Sequence, residues 1–147
     1  MGVSEKGEKQ KFETNYDYLK HMCNVLAKGE LKDANMHNPL FADDQHAYAV
    51  ILEELEETKE EIAIAEEMLD KVWRNVRTKS NPAPNLVRMR EAAICAAVEA
   101  IQVAAMCQKA CDSHYANEAK ENEREKERMR KSATDAARIM VMKGQRK

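Results

Sequence analysis

Six glutamates fall within nine residues of this chain, at Glu53, Glu54, Glu56, Glu57, Glu60 and Glu61. In a helix, Glu54 and Glu57 are i, i+3 neighbours on one face. At about 100° per residue, Glu54 and Glu61 border an apolar stripe and Glu57 sits slightly further out. A second pair with the same spacing, Glu99 and Gln102, interrupts the otherwise apolar run 92–107. Burying a lone carboxylate costs several kcal/mol unless it is paired, protonated or bound to a cation, so Glu99 requires an explanation. A divalent metal supplies one, because Mg²⁺ takes oxygen ligands and is usually held by a few carboxylates together with substrate phosphates. Two antiparallel helices presenting i, i+3 acids to each other would form such a site, with Glu54, Glu57, Glu99 and Gln102 around the ion. The metal would polarise a phosphoryl oxygen and activate a water. Bases from the following segment, Arg74, Arg77 or Lys79, would meet phosphate, and Trp73 could stack on a nucleotide base.

Other readings of the same residues stay open. A glutamate-rich run is most often a solvated helix face, and Glu99 could instead be satisfied by a core Arg, Lys or Tyr. Trp73 also adjoins the stripe residues Leu69, Val72 and Val76, which suits a place in the core. Cys107, Cys111 and His114 offer three Zn²⁺ ligands on one helix, but a closed tetrahedral site needs a fourth. The thiols suit small core gaps equally well. No Gly-rich phosphate loop and no G-x-S-x-G elbow is present, so nucleophilic catalysis is not indicated.

The elements that must position these groups are helices. Only seven of the 147 residues are Gly or Pro, and 40–81 and 85–143 contain neither. An all-β chain would need turn residues every 8 to 12 positions, so the fold is expected to be an all-α bundle. A loose terminus is expected over 1–15, then a short helix from Tyr16 closed by Gly29. After a loop with Asn35, Asn38 and Pro39, the pair Asp43-Asp44 caps a long helix to about Lys79. Its apolar stripe is Tyr48, Ile51, Leu55, Thr58, Ile62, Ala65, Leu69, Val72 and Val76. Asn81-Pro82-Ala83-Pro84-Asn85 breaks the chain, and a second long helix runs over 85–112 as the centre of the bundle. The polar stretch 117–131 predicts a charged C-terminal helix, with Ser132 to Asp135 recapping a last amphipathic turn that carries Ile139, Met140 and Met142. The expected division is a flexible 1–15, a helical core over 16–115 and the charged helix over 116–147.

With those residues in place, the chain resembles the MazG-like all-α nucleotide pyrophosphohydrolases. That family carries E-E-x-x-E on one helix and E-x-x-D on the next. Glu53, Glu54 and Glu57 match the first motif, and Glu99 matches the start of the second, with Gln102 where the family has Asp. The segment Glu99-Ala-Ile-Gln-Val-Ala-Ala-Met is similar to a variant in MazG-like proteins of phages and Gram-positive bacteria. The resemblance covers about 44–110. It implies catalytic roles for Glu53, Glu54, Glu57 and Glu99, a bound Mg²⁺, cleavage of nucleoside triphosphates to monophosphate and pyrophosphate, and assembly as dimers or tetramers. Glu67-Met-Leu-Asp70 also reads as E-x-x-D, but it continues the helix of Glu57 and cannot face it. Because Gln102 is an uncharged and poorer ligand, two alternatives remain beside the enzyme. One is a protein that binds or sequesters a nucleotide or cyclic nucleotide without cleaving it, and the other is a helical oligomerisation or adaptor protein.

Composition narrows the partners. Lys and Arg number 24 against 26 Asp and Glu, and the pI of about 6.1 is far below that of duplex nucleic-acid binders. Charge is nevertheless segregated: 53–70 holds nine acids and one base, and 71–90 holds six bases and no acid. The apolar run 92–107 is shorter than the ~20 residues that span a bilayer and contains Glu99. No signal-peptide pattern opens the chain, and Met1-Gly2 lacks the Ser or Thr at position 6 that myristoylation wants. Four cysteines without a framework spacing suit a reducing compartment. The expectation is a cytoplasmic homo-oligomer that binds a nucleotide and contacts no membrane.

Overall fold

A computed structural model describes residues 13–144, which form three helices: α1 (Asn15–His37), α2 (Asp44–Arg77) and α3 (Ala83–Gly144). Among the described residues there is no strand, as an all-α fold requires. Residues 1–12 of the expected loose terminus, and the Met142 side chain, lie outside the described residues.

Each helix begins where side chains can satisfy its free amides. At α1, Thr14 Oγ1 accepts from Asp17 N at 3.1 Å while Asp17 Oδ2 accepts from Thr14 N at 3.1 Å, a reciprocal capping box. At α2, Asp43 Oδ1 accepts from His46 N at 2.8 Å. α2 ends in a tight turn in which Thr78 N donates to Arg74 O and Ser80 N to Asn75 O, with Lys79 in the left-handed region at φ 56°. Asn85 Nδ2 then donates to Asn75 Oδ1 at 2.7 Å, tying the start of α3 to the end of α2.

Two helix boundaries differ from the sequence expectation. α1 does not stop at Gly29 but runs to His37, because a glycine inside a helix costs only about 1 kcal/mol and nothing here imposes a left-handed residue. The core helix and the charged helix are one 62-residue element. With no Gly or Pro over 85–143, side-chain pairs one turn apart sustain it, such as Lys126 Nζ to Glu123 Oε1 at 2.7 Å. Thr134 does not recap, since its hydroxyl donates back to Arg130 O at 2.9 Å inside the continuing helix.

α3 lies between the other two, packing along α2 and, over a shorter length, against α1. The α2–α3 seam repeats every seven residues. On α2 its buried and half-buried members are Ala47, Ile51, Glu54, Thr58, Glu61, Ala65, Met68, Val72 and Asn75. On α3 they are Met89, Ala92, Ala96, Glu99, Val103, Met106, Ala110 and Ser113. Spacings alternating between three and four keep one face of each helix against the other. One end is locked by the α1–α2 loop. Phe41, Ala47, Ala105 and Met106 form a buried cluster, Phe41 N donates to Ser113 Oγ at 2.8 Å, and the buried Lys109 donates to Ala34 O at 3.3 Å. Lys109 Nζ also lies 4.9 Å from the centre of the Phe41 ring, so a π face and a carbonyl hold its charge.

The apolar run of α3 is less enclosed than a central bundle helix would be. α3 contains an 18-residue window of mean hydropathy 1.3, enough by length and composition to cross a membrane, of which 17% is buried. Ala93, Ala97, Ala100 and Ala104 are exposed. Beyond Asn117, every described side chain of α3 through Val141 is exposed.

Candidate metal centre

The seam that joins α2 to α3 carries the acids. Glu54 and Glu57 sit one turn apart on α2, Glu99 faces them from α3, and one carboxylate oxygen from each lies within 4.8 Å of the others. Among the described residues no other three side chains capable of binding a metal converge in this way. Helix geometry explains the meeting: Glu54 and Glu99 occupy seam positions, and Glu57 flanks the seam on its solvent side. Beneath them the Thr58 hydroxyl donates to Glu54 O at 3.0 Å and is thereby satisfied within its own helix.

Gln102 completes the cluster one turn along α3. With its amide nitrogen toward the acids it donates to Glu54 Oε2 at 3.2 Å and to Glu99 Oε2, an orientation fixed by the hydrogen bonds available to it. The electrostatics are those of partly buried carboxylates that repel one another. Burial pushes the Glu99 carboxyl above its ordinary value, reinforced by the charge of Glu57, a hydrogen bond to Glu57 and the charge of Glu61. Glu54 is raised in the same way, first by burial and then by Glu57, Glu99, Glu53 and Glu30. Every charge that moves either group is another glutamate, and none of the ion pairs among the described residues includes Glu99. The donor set suits a hard divalent ion: three carboxylates in mutual reach, with an amide that can present its oxygen once the acids are neutralised.

Other expected site residues stand elsewhere. Glu53 is exposed and acts on Glu54 through its charge alone. Trp73, Arg74, Arg77 and Lys79 are exposed near the far end of α2. The 17 helical residues from Glu57 to Arg74 correspond to about 25 Å along the axis, so one chain does not bring these groups to its own acid cluster. Trp73 is 60% exposed and takes no part in the core. Cys107 and Cys111 are exposed, and His114 Nδ1 lies 3.2 Å from both Asp44 carboxylate oxygens. The cysteine and histidine set therefore does not assemble.

Two residues along the acidic seam were not singled out from the sequence. Glu30 reaches it because α1 continues past Gly29, and it lines a cavity of about 190 Å³ with Leu26, Val98, Ile101 and Gln102. Arg88 lines a second, open cavity of about 210 Å³ with Glu61, Ile64, Glu91, Ala92 and Cys95. Arg88 belongs to the basic block, but only the return of α3 along α2 shows that it flanks the acidic seam. Burial and the negative field of Glu61, Glu91 and Glu99 push the Cys95 thiol up, away from thiolate chemistry.

No family model, no curated protein and no solved structure matches the chain.

Proposed function

We propose that the chain is a Mg²⁺-dependent nucleotide pyrophosphohydrolase of the MazG-like kind, built on an antiparallel α2–α3 pair and acting as a homo-oligomer. The observation that carries this reading is the convergence of Glu54, Glu57 and Glu99 from two helices, with no base among the described residues paired to them. In this reading the three carboxylates hold the ion, and Gln102 orients Glu54 and Glu99. The bound ion would polarise a phosphoryl oxygen and lower the pKa of a water. The protein's own task is to fix the acids in the seam. Arg88 lines a cavity with Glu61 farther along the same seam, 11 residues and about 16 Å of helix from Glu99. The apolar cavity beside Gln102 offers a wall for the nucleoside.

One observation favours a second reading. The Gln102 amide already donates to both Glu54 and Glu99, so the acids are partly satisfied without a metal. A protein of that kind binds a nucleotide, or a cyclic nucleotide, without cleaving it. The experiment is a thermal-shift panel of nucleoside triphosphates, monophosphates and cyclic dinucleotides with and without Mg²⁺, followed by chromatography of the recovered ligand. Stabilisation with conversion to monophosphate and pyrophosphate is the expected result, and stabilisation with intact ligand selects the binder. Absence of any shift, with nucleotide or metal, overturns both.

A further inference from the structure

α2 presents a second repeat of seven, one position out of step with the seam that holds α3. Tyr48, Leu55, Ile62, Leu69 and Val76 form a straight apolar stripe, and they are 68, 38, 46, 52 and 53% exposed. Their flank, again at intervals of seven, is Leu52, Lys59, Glu66 and Trp73. Trp73 is exposed, and neither Lys59 nor Glu66 forms an ion pair among the described residues.

We propose that this stripe is a self-association face, on which α2 of a second copy packs in the opposite direction about a twofold axis at Ile62. The order of the flank decides the orientation. With Ile62 on the axis, Tyr48 meets Val76 and Leu55 meets Leu69 of the other copy. The flank then sets Lys59 opposite Glu66 and Leu52 opposite Trp73, each twice by symmetry. In a parallel arrangement Lys59 would face Lys59 and Glu66 would face Glu66, which is repulsive. A stable dimer needs on the order of 1,600 Å². The stripe recurs along most of the 34-residue α2, and with its Lys59 and Glu66 flank it is self-complementary in the antiparallel order. Within the proposed function this names the oligomer's contact face, although the pairing itself does not depend on nucleotide binding.

Sedimentation equilibrium of the full chain tests it, with the nucleotide reading checked separately by thermal shift. Wild type is expected as a dimer at micromolar concentration. Ile62→Glu places two carboxylates on the axis and should leave a monomer whose helical circular dichroism is unchanged. Lys59→Glu should weaken the dimer about tenfold, by turning two attractive contacts into repulsive ones, and Lys59→Glu with Glu66→Lys should recover it. A monomeric wild type, or an Ile62→Glu variant that still associates, overturns the face. A Lys59→Glu variant that associates as well as wild type, or a double variant no better than the single one, overturns the orientation.

Discussion

Replacing Glu99 by Gln removes one negative charge from the cluster while keeping the shape of the side chain, and its effect on stability should change sign with Mg²⁺. Glu99 faces Glu54 and Glu57, with oxygens within 4.8 Å. At that separation two unit charges repel by about 1–2 kcal/mol for an effective dielectric of 40–80. Glu57 is exposed and the other two are half-buried, so solvent screening reduces each pair to about 0.5–1 kcal/mol. Two pairs relieved give about 1–2 kcal/mol, which for a chain of this size raises the melting midpoint by about 2–8 °C in EDTA. With Mg²⁺ the order reverses. A site occupied at a hundred times its Kd stabilises wild type by about 2.7 kcal/mol, and the variant, with one ligand charge gone, should show less than a third of that shift and no Mg²⁺-dependent turnover. Thermal melts by circular dichroism in EDTA and in 10 mM Mg²⁺ read both arms. A variant that melts below wild type in EDTA, or that keeps the full Mg²⁺ shift, would refute the argument that these carboxylates are a strained cation site.

The remaining expectations rest on the same geometry. Glu54 and Glu99 have carboxyls raised above the ordinary 4.5, so their contribution to stability is complete below that value and is lost as pH rises through the raised ones. Without metal the protein should lose stability as pH rises above 4.5, and the Glu99→Gln variant should lose less over the same rise. Gln102→Asp removes the donor to both acids and adds a fourth charge; it should lower the melting point in EDTA and tighten Mg²⁺ binding about tenfold or more, as isothermal titration would show. Lys79→Gly should stabilise by about 0.5–1 kcal/mol in urea unfolding, since φ is 56° there and glycine relieves the left-handed strain. Phe41→Ala, at the buried lock between the α1–α2 loop and α3, should cost about 3 kcal/mol in the same assay.

How much of this the sequence disclosed varies from element to element. α2 was legible at its start and near its end, because Asp43 caps it and the prolines at 82 and 84 interrupt the chain shortly beyond Arg77. The meeting of Glu54 and Glu57 with Glu99 was legible because i, i+3 spacing fixes a face and Glu99 stood alone among apolar residues. The apolar stripe proved to mark two faces. Ile51, Thr58, Ala65 and Val72 line the α3 seam, whereas Tyr48, Leu55, Ile62, Leu69 and Val76 do not. Hydrophobicity could not separate them, since the seam itself carries Glu54 and Glu61. Glu30 comes near the cluster, and Arg88 near Glu61, through the packing of separate helices, which no local spacing encodes. The basic block was correctly seen as a block, but a helix at 1.5 Å per residue carries most of it away from the acids that precede it in sequence.

The length of α3 governs how the molecule moves through solvent. Sixty-two residues of continuous helix make a rod of about 93 Å, and the part beyond Asn117 overhangs the packed part. Such a particle tumbles faster about its long axis than end over end, and its friction belongs to a heavier sphere. Gel filtration calibrated with spherical standards would therefore assign even a single chain the elution volume of an oligomer, whereas light scattering, which weighs particles without regard to drag, would return its true mass.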